Sequence, residues 1–223
     1  MVRGDFMLRE GFDKRISGLK DKVFQMGNMV DSLISESMEA LLNQDLEAAA
    51  QIEKKDDKID KLEMEIEGEC MNLLTLQQPL AGDLRLIAAA LKIITDLERM
   101  GDHAVNIAHV TLEIGKEPFI KPLIDIPKMA DYCHNMIEES LNAFANADVE
   151  KAKKIAEMDE EVDKLSDRVF EDVIDIIAEN KGLLKQGSKL LFIARYLERI
   201  ADHTTNICER IIYMVTGVYK EIN

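Results

Sequence analysis

From Leu46 to Leu76 the apolar residues Ile52, Ile59, Ile66 and Leu73 return every seven positions, with charged residues filling the intervals. That period keeps one stripe of a helix turned to a neighbour, so the stretch predicts an amphipathic helix in a bundle. Between about Asp83 and Ile114 the apolar face is wider. Leu91, Ile94, Val105 and Leu112 mark one stripe, and Leu86, Ala90, Ile93, Leu97, Met100 and Ile107 an adjoining one. A face that broad predicts a helix sandwiched between others.

Turn and cap residues divide the chain into six such segments. The first runs from about Phe6 to Leu42, and the second from Leu46, with Asp45 as N-cap, to Leu76. "QQPLAGD" breaks the chain at Pro79 and Gly82, and a third helix covers about Asp83 to Ile114. "GKEPFIKPLIDIP" then places three prolines within ten residues, a linker. A fourth helix reaches about Ala145, a fifth runs from the cap Asp148 to Glu179, and a sixth follows the "NKGLLKQGS" turn to about Thr216.

The second three segments repeat the first three. "DLERMGDHAVNIAH" from Asp96 returns as "YLERIADHTTNICE" from Tyr196, 100 residues later. "DDKIDKL" from Asp56 and "DEEVDKL" from Asp159 match at an offset of 103, as do Asp45 and Asp148. The expected fold is therefore all-α: six long helices as two tandem, sequence-related three-helix bundles, residues 1–117 and 118–223. The repeated letters are mainly charged or polar, which points to duplicated chemistry as well as a duplicated fold.

Composition narrows that chemistry. The 223 residues include no Trp and carry a net charge of −15, which argues against a broad nucleic-acid surface, since phosphate binding needs clustered Lys and Arg. Cys70, Cys133 and Cys208 stand alone without a C-x-x-C pair and read as buried thiols in a reducing compartment. No apolar leader and no run of 18 apolar residues occurs, so a cytoplasmic protein without membrane insertion is expected.

Glu98 falls on an apolar stripe, where a carboxylate is costly unless it is paired or ligates a metal. Asp102 lies four residues on, and Glu198 with Asp202 repeats the pair. The second helix of each half carries its own pair, Asp56 with Asp60 and Asp159 with Asp163. In an antiparallel hairpin centred on Pro79, Asp60 lies level with Glu98 and Asp56 with Asp102. A hairpin centred between Asn180 and Lys181 does the same for Asp163 with Glu198 and Asp159 with Asp202. Four carboxylates at one level suit hard or borderline cations such as Mg²⁺, Mn²⁺ or Fe, and more than one ion per site. Salt bridges from Arg99, Arg199, Lys58 or Lys61 are the competing explanation. His103 and His203 fall off the acidic face, and His109 and His134 have no counterparts.

The duplicated L-E-R-x-x-D-x-x-x-N-I signature at Leu97 and Leu197, with the D-x-x-x-D partners at Asp56 and Asp159, resembles the PhoU family of phosphate-transport accessory and regulatory proteins. The resemblance covers nearly the whole chain. It implies a six-helix, two-repeat fold with multinuclear carboxylate metal sites. It further implies a cytoplasmic negative regulator of phosphate uptake and phosphate-starvation signalling. The implied partners are the ATPase subunit of a high-affinity phosphate ABC transporter and a sensor histidine kinase, and a homodimer stays open. The alternative is a carboxylate-bridged multinuclear metal enzyme or a metal-storage bundle. No Glu stands three residues before a His, as a ferritin-like di-metal enzyme requires, and the chain has no P-loop and no Ser-His-Asp set.

Overall fold

A computed structural model describes residues 2–76, 79–219 and 222, with side chains described from residue 10 onward except at position 76. The described chain is helical throughout, with short turns between helices. It forms α1 (Val2–Asn43), α2 (Leu46–Ala49), α3 (Ile52–Leu76), α4 (Ala81–Ile114), α5 (Asp125–Asn146), α6 (Val149–Ala156), α7 (Asp159–Glu179) and α8 (Leu184–Thr216).

Six long segments are present, but two of them are broken. The expected second helix divides into α2 and α3, and its counterpart into α6 and α7. Neither break contains Pro or Gly. At Ala50 and at Glu157 the backbone stays right-handed with ψ of −10° and −18°, and the chain tightens into a single 3₁₀-type turn. Gln51 N–H reaches Ala48 O at 3.0 Å, and Met158 N–H reaches Ile155 O at 2.9 Å. Each break re-aims the following helix immediately before its acidic pair, so Asp159 is the first residue of α7.

The caps act as their sequence positions predict. Asp45 accepts hydrogen bonds from Glu47 N–H and Ala48 N–H, and Asp148 accepts one from Lys151 N–H. Residues 77–78 of the predicted Pro79 turn lie outside the described residues. The other hairpin turns through a 3₁₀ turn, Lys181–Leu183, where Asn180 Oδ1 accepts from Gly182 N–H.

In the first repeat α1, α3 and α4 pack on one another; α5, α7 and α8 do so in the second. Ile52, Ile59, Ile66 and Leu73 are all buried, as the heptad stripe predicts, and each such side chain contributes about 1.5–3 kcal/mol of transfer free energy. Leu112 departs from its predicted stripe: it is 38% exposed near the end of α4, while Thr111 and Ile114 turn inward.

The repeats join along α4 and α8, the most extensive pairing in the fold, and along α1 and α5. Both pairings are antiparallel. Arg85 near the start of α4 donates to Met214 O near the end of α8 at 3.2 Å, and Lys189 near the start of α8 reaches Glu113 near the end of α4. Equivalent residues meet in the middle. His103 and His203 have ring centroids 5.7 Å apart, and His134 Nδ1 lies 2.7 Å from Asp31 Oδ1, its counterpart on α1. Contact between equivalent positions is the signature of a local twofold axis, which here passes between α1 and α5 and between α4 and α8.

Candidate functional site

In the first repeat α3 presents Asp56 and Asp60 to α4, which presents Glu98 and Asp102. The four are close enough to repel one another. Burial, then the charges of Asp60, Asp102 and Glu98, raise the Asp56 carboxyl to about 7. Asp60 is raised by burial and by Asp102, and Glu98 by burial and by Asp102, with Arg99 opposing. Gly101 makes the convergence tight. A Cβ at that position would stand 2.6 Å from Asp56 Oδ1, so only a glycine lets this oxygen settle against the α4 backbone.

Two oxygens here are buried without a hydrogen-bond donor, Asp56 Oδ1 and Glu98 Oε2. Arg99 is the nearby cation. Its Nη1 bonds Asp102 Oδ2 at 2.8 Å, and its Nε stands 3.3 Å from Glu98 Oε2.

The second repeat sets out the same four residues differently. Asp159 is 4% exposed, the most deeply buried of the eight. Asp163 is raised by burial and by Asp202 and Asp167, with Arg195 opposing. Glu198 is engaged at both oxygens: Ser166 Oγ donates to Oε2 at 3.1 Å, and Arg195 pairs with Oε1.

Among the described residues, no three His, Cys, Asp or Glu side chains close into a ready-made coordination shell. In the first repeat the four carboxylates face one another as a loose ring with Arg99 beside it. In the second, Asp163 faces Asp202, Glu198 is held by Ser166 and Arg195, and Asp159 lies inward near Cys133. Buried oxygens that accept no hydrogen bond, a glycine cradle and an oxygen-only donor set fit a hard or borderline cation at the first centre.

Between the centres lies the α4–α8 seam. His203 Nδ1 is 2.9 Å from Asp96 Oδ1, which also accepts from Asn206 Nδ2 at 3.3 Å. The equivalent of Asp96 is Tyr196, and His103 stacks on its ring at 5.7 Å. Burial, then the charges of His203 and Arg199, lower the His103 imidazole to about 4. The seam histidines thus belong to the joint between the repeats. His134 binds Asp31, and His109 lies 3.7 Å from Glu53.

Glu63, Ser166 and Arg195 were not among the expected site residues, because the expectation followed letters that the repeats share. Glu63 faces Asp60, Glu98 and Arg99, and hydrogen-bonds Thr95. The signal lay in the aligned positions at which the repeats differ. The three cysteines are free and buried, with Cys70 and Cys208 pushed up to about 12 by burial.

Comparison with known proteins follows the same outline. The family model described as PhoU domain matches twice, over residues 23–111 and 126–211. A phosphate-specific transport system accessory protein PhoU homolog of Clostridium acetobutylicum is 39% identical over 97% of this chain and 100% of its own length. An Aquifex aeolicus protein of the same description is 39% identical over 92% of each chain. The crystal structure of PhoU from Pseudomonas aeruginosa superposes with a TM-score of 0.88 at 30% identity, covering 93% of this chain and 100% of that one. The phosphate transport system regulatory protein PhoU from Streptococcus pneumoniae gives 0.85 at 32%, covering 94% and 99%.

Proposed function

This chain belongs to the PhoU family, and on that premise we propose that it is a cytoplasmic regulator restraining high-affinity phosphate uptake and the phosphate-starvation response. One observation carries the reading: full-length similarity to phosphate-transport accessory proteins, with both tandem repeats intact. It is an accessory protein rather than an enzyme, so it works through contacts with other proteins. The family resemblance supports the ATPase subunit of a phosphate ABC transporter and a sensor histidine kinase as those contacts. Among the described residues no helix is long and apolar enough to cross a membrane, in keeping with a partner that docks on a transporter from one side.

Metal belongs to this reading. Asp56, Asp60, Glu98 and Asp102 would hold cations at the first centre, and Asp159, Asp163, Glu198 and Asp202 at the second, with Fe, Mn or Mg as the matching ions. When bound, such ions supply concentrated positive charge and Lewis acidity on an otherwise acidic face. The protein's own part is positional. α3 and α7 deliver one carboxylate pair each, α4 and α8 the opposing pair, and Gly101 brings Asp56 within reach.

Deleting the protein should raise phosphate uptake or starvation-gene expression in phosphate-replete cells, and a pull-down from such cells should recover the transporter ATPase or the kinase. If neither expression nor uptake changes, the regulatory reading fails. Elemental analysis of protein purified without added metal tests the metal component separately.

A further inference from the structure

The two acidic centres stem from one duplicated unit, yet they differ where it matters for a cation. Glu63 on α3 has Ser166 as its counterpart, Thr95 on α4 has Arg195, and Gly101 has Ala201. Glu63 lies close enough to Asp60 and Glu98 to repel both, so it belongs to the first ring of carboxylates. Its counterpart Ser166 instead donates a hydrogen bond to Glu198. Arg195, where the first repeat has only a hydroxyl, pairs with Glu198 and faces Asp163.

Across the aligned positions the second centre loses one carboxylate, Glu63 to Ser166, and gains one cation, Thr95 to Arg195, and is two charges less negative than the first. Glu67 and Asp167 stand at the margins of the two centres, one each, and cancel from the comparison. The oxygens tell the same story. Glu98 Oε2 is buried and accepts no hydrogen bond, with Arg99 Nε 3.3 Å away, whereas both oxygens of its counterpart Glu198 are taken, one by Ser166 and one by Arg195. A cation entering the first centre relieves repulsion among more carboxylates and competes with Arg99 for Glu98 and Asp102. One entering the second meets a carboxylate fewer and must displace both Arg195 and Ser166 from Glu198.

We propose that the two centres are unequal cation sites: the first, with Glu63 as a fifth carboxylate, takes divalent metal first and more tightly, and the second fills only as Arg195 is displaced from Glu198. This rests on the metal reading above and adds to it an order of filling. One repeat then responds to low metal while the other responds only at higher concentration.

The test is a Mn²⁺ titration of the metal-free full-length protein, following the electron paramagnetic resonance signal of the free aqua ion. Two classes of site should appear, separated by about tenfold or more in affinity, the scale on which groups around a metal change its binding. Glu98→Gln with Asp102→Asn should abolish the tight class, and Glu198→Gln with Asp202→Asn the weak one. Glu63→Ser with Thr95→Arg should weaken the tight class, and Ser166→Glu with Arg195→Thr should strengthen the weak one, each with an unchanged circular dichroism spectrum. A single class of equal sites, or a tight class that survives the Glu98 and Asp102 changes, overturns the proposal and leaves the metal reading standing. No uptake of Mn²⁺ at either centre removes both.

Discussion

Gly101 decides how near Asp56 comes to α4, and its value is spatial rather than conformational, since it sits within a regular helix. Gly101→Ala adds a Cβ where Asp56 Oδ1 now lies, 2.6 Å away, so the short carboxylate must swing aside. Alanine also gains about 1 kcal/mol in helix propensity over glycine. Stability should therefore change little, while Mn²⁺ affinity at the first centre falls. A loss of about 2 kcal/mol or more in chemical denaturation would show instead that Asp56 cannot yield. At the α1–α5 contact a different residue sets a pH dependence. His134 is raised above its ordinary range by its bond to Asp31, then by the charges of Asp31, Glu138 and Asp131, with burial opposing. A raised histidine contributes stability that is fully present below the unfolded-state value near 6.5 and is lost as pH rises through the folded value. The His134 side chain is 53% exposed and screened by solvent, so the contribution is below about 1 kcal/mol. Melting temperature should fall slightly as pH passes upward through that window, and His134→Gln should flatten the slope. An unchanged slope would mean that the pair adds nothing to stability.

At the scale of the helices, stability and site chemistry are carried by different residues of the same elements. Ile66, fully buried on α3, sits on the core stripe, and Ile66→Ala should cost about 2–5 kcal/mol. Asp60 and Asp102 face each other across the groove, and Asp60→Asn with Asp102→Asn removes repulsion without opening a cavity. That double variant should keep full helicity by circular dichroism; its collapse would make the acidic face obligatory for folding. This division explains what could be read from the sequence. The Ile52–Leu73 stripe, the caps Asp45 and Asp148 and the level carboxylate pairs follow from local periodicity and cap chemistry, and all three are visible in the residues themselves. The breaks at Ala50 and Glu157 were not legible, because they use αR backbone with no Pro or Gly to announce them. The contact of His134 with Asp31 was not legible either. It depends on how two bundles dock, and neither residue carries a mark of its partner. Glu63 and Arg195 escaped for a third reason: a repeat found by its shared letters hides the positions where duplication has been followed by divergence.

At the scale of the molecule the two repeats are joined as a dimer would be. α4 meets α8 antiparallel, α1 meets α5 antiparallel, and equivalent residues touch at both crossings. α4 carries buried apolar residues from Ile87 to Ile114 that serve α1, α3 and α8 together, so a first repeat cut free of the second would leave the α8-facing share exposed. The seam chemistry says how such a fragment would cover it. In the intact chain Asp96 holds His203 and Asn206. The first repeat has its own histidine and asparagine at those positions, His103 and Asn106, so a second copy of residues 1–117 would offer Asp96 the same two groups in both directions. The second repeat lacks this symmetry. Tyr196 replaces the carboxylate, and a pair of 118–223 fragments would set His203 against a phenol ring instead of an acid. Residues 1–117 should therefore behave as a helical dimer in sedimentation equilibrium, Asp96→Asn should weaken it, and residues 118–223 should associate less strongly. A folded monomer of residues 1–117 would show that α4 can leave its seam face in water, and the antiparallel joint would then be a product of the linker rather than of complementary surfaces.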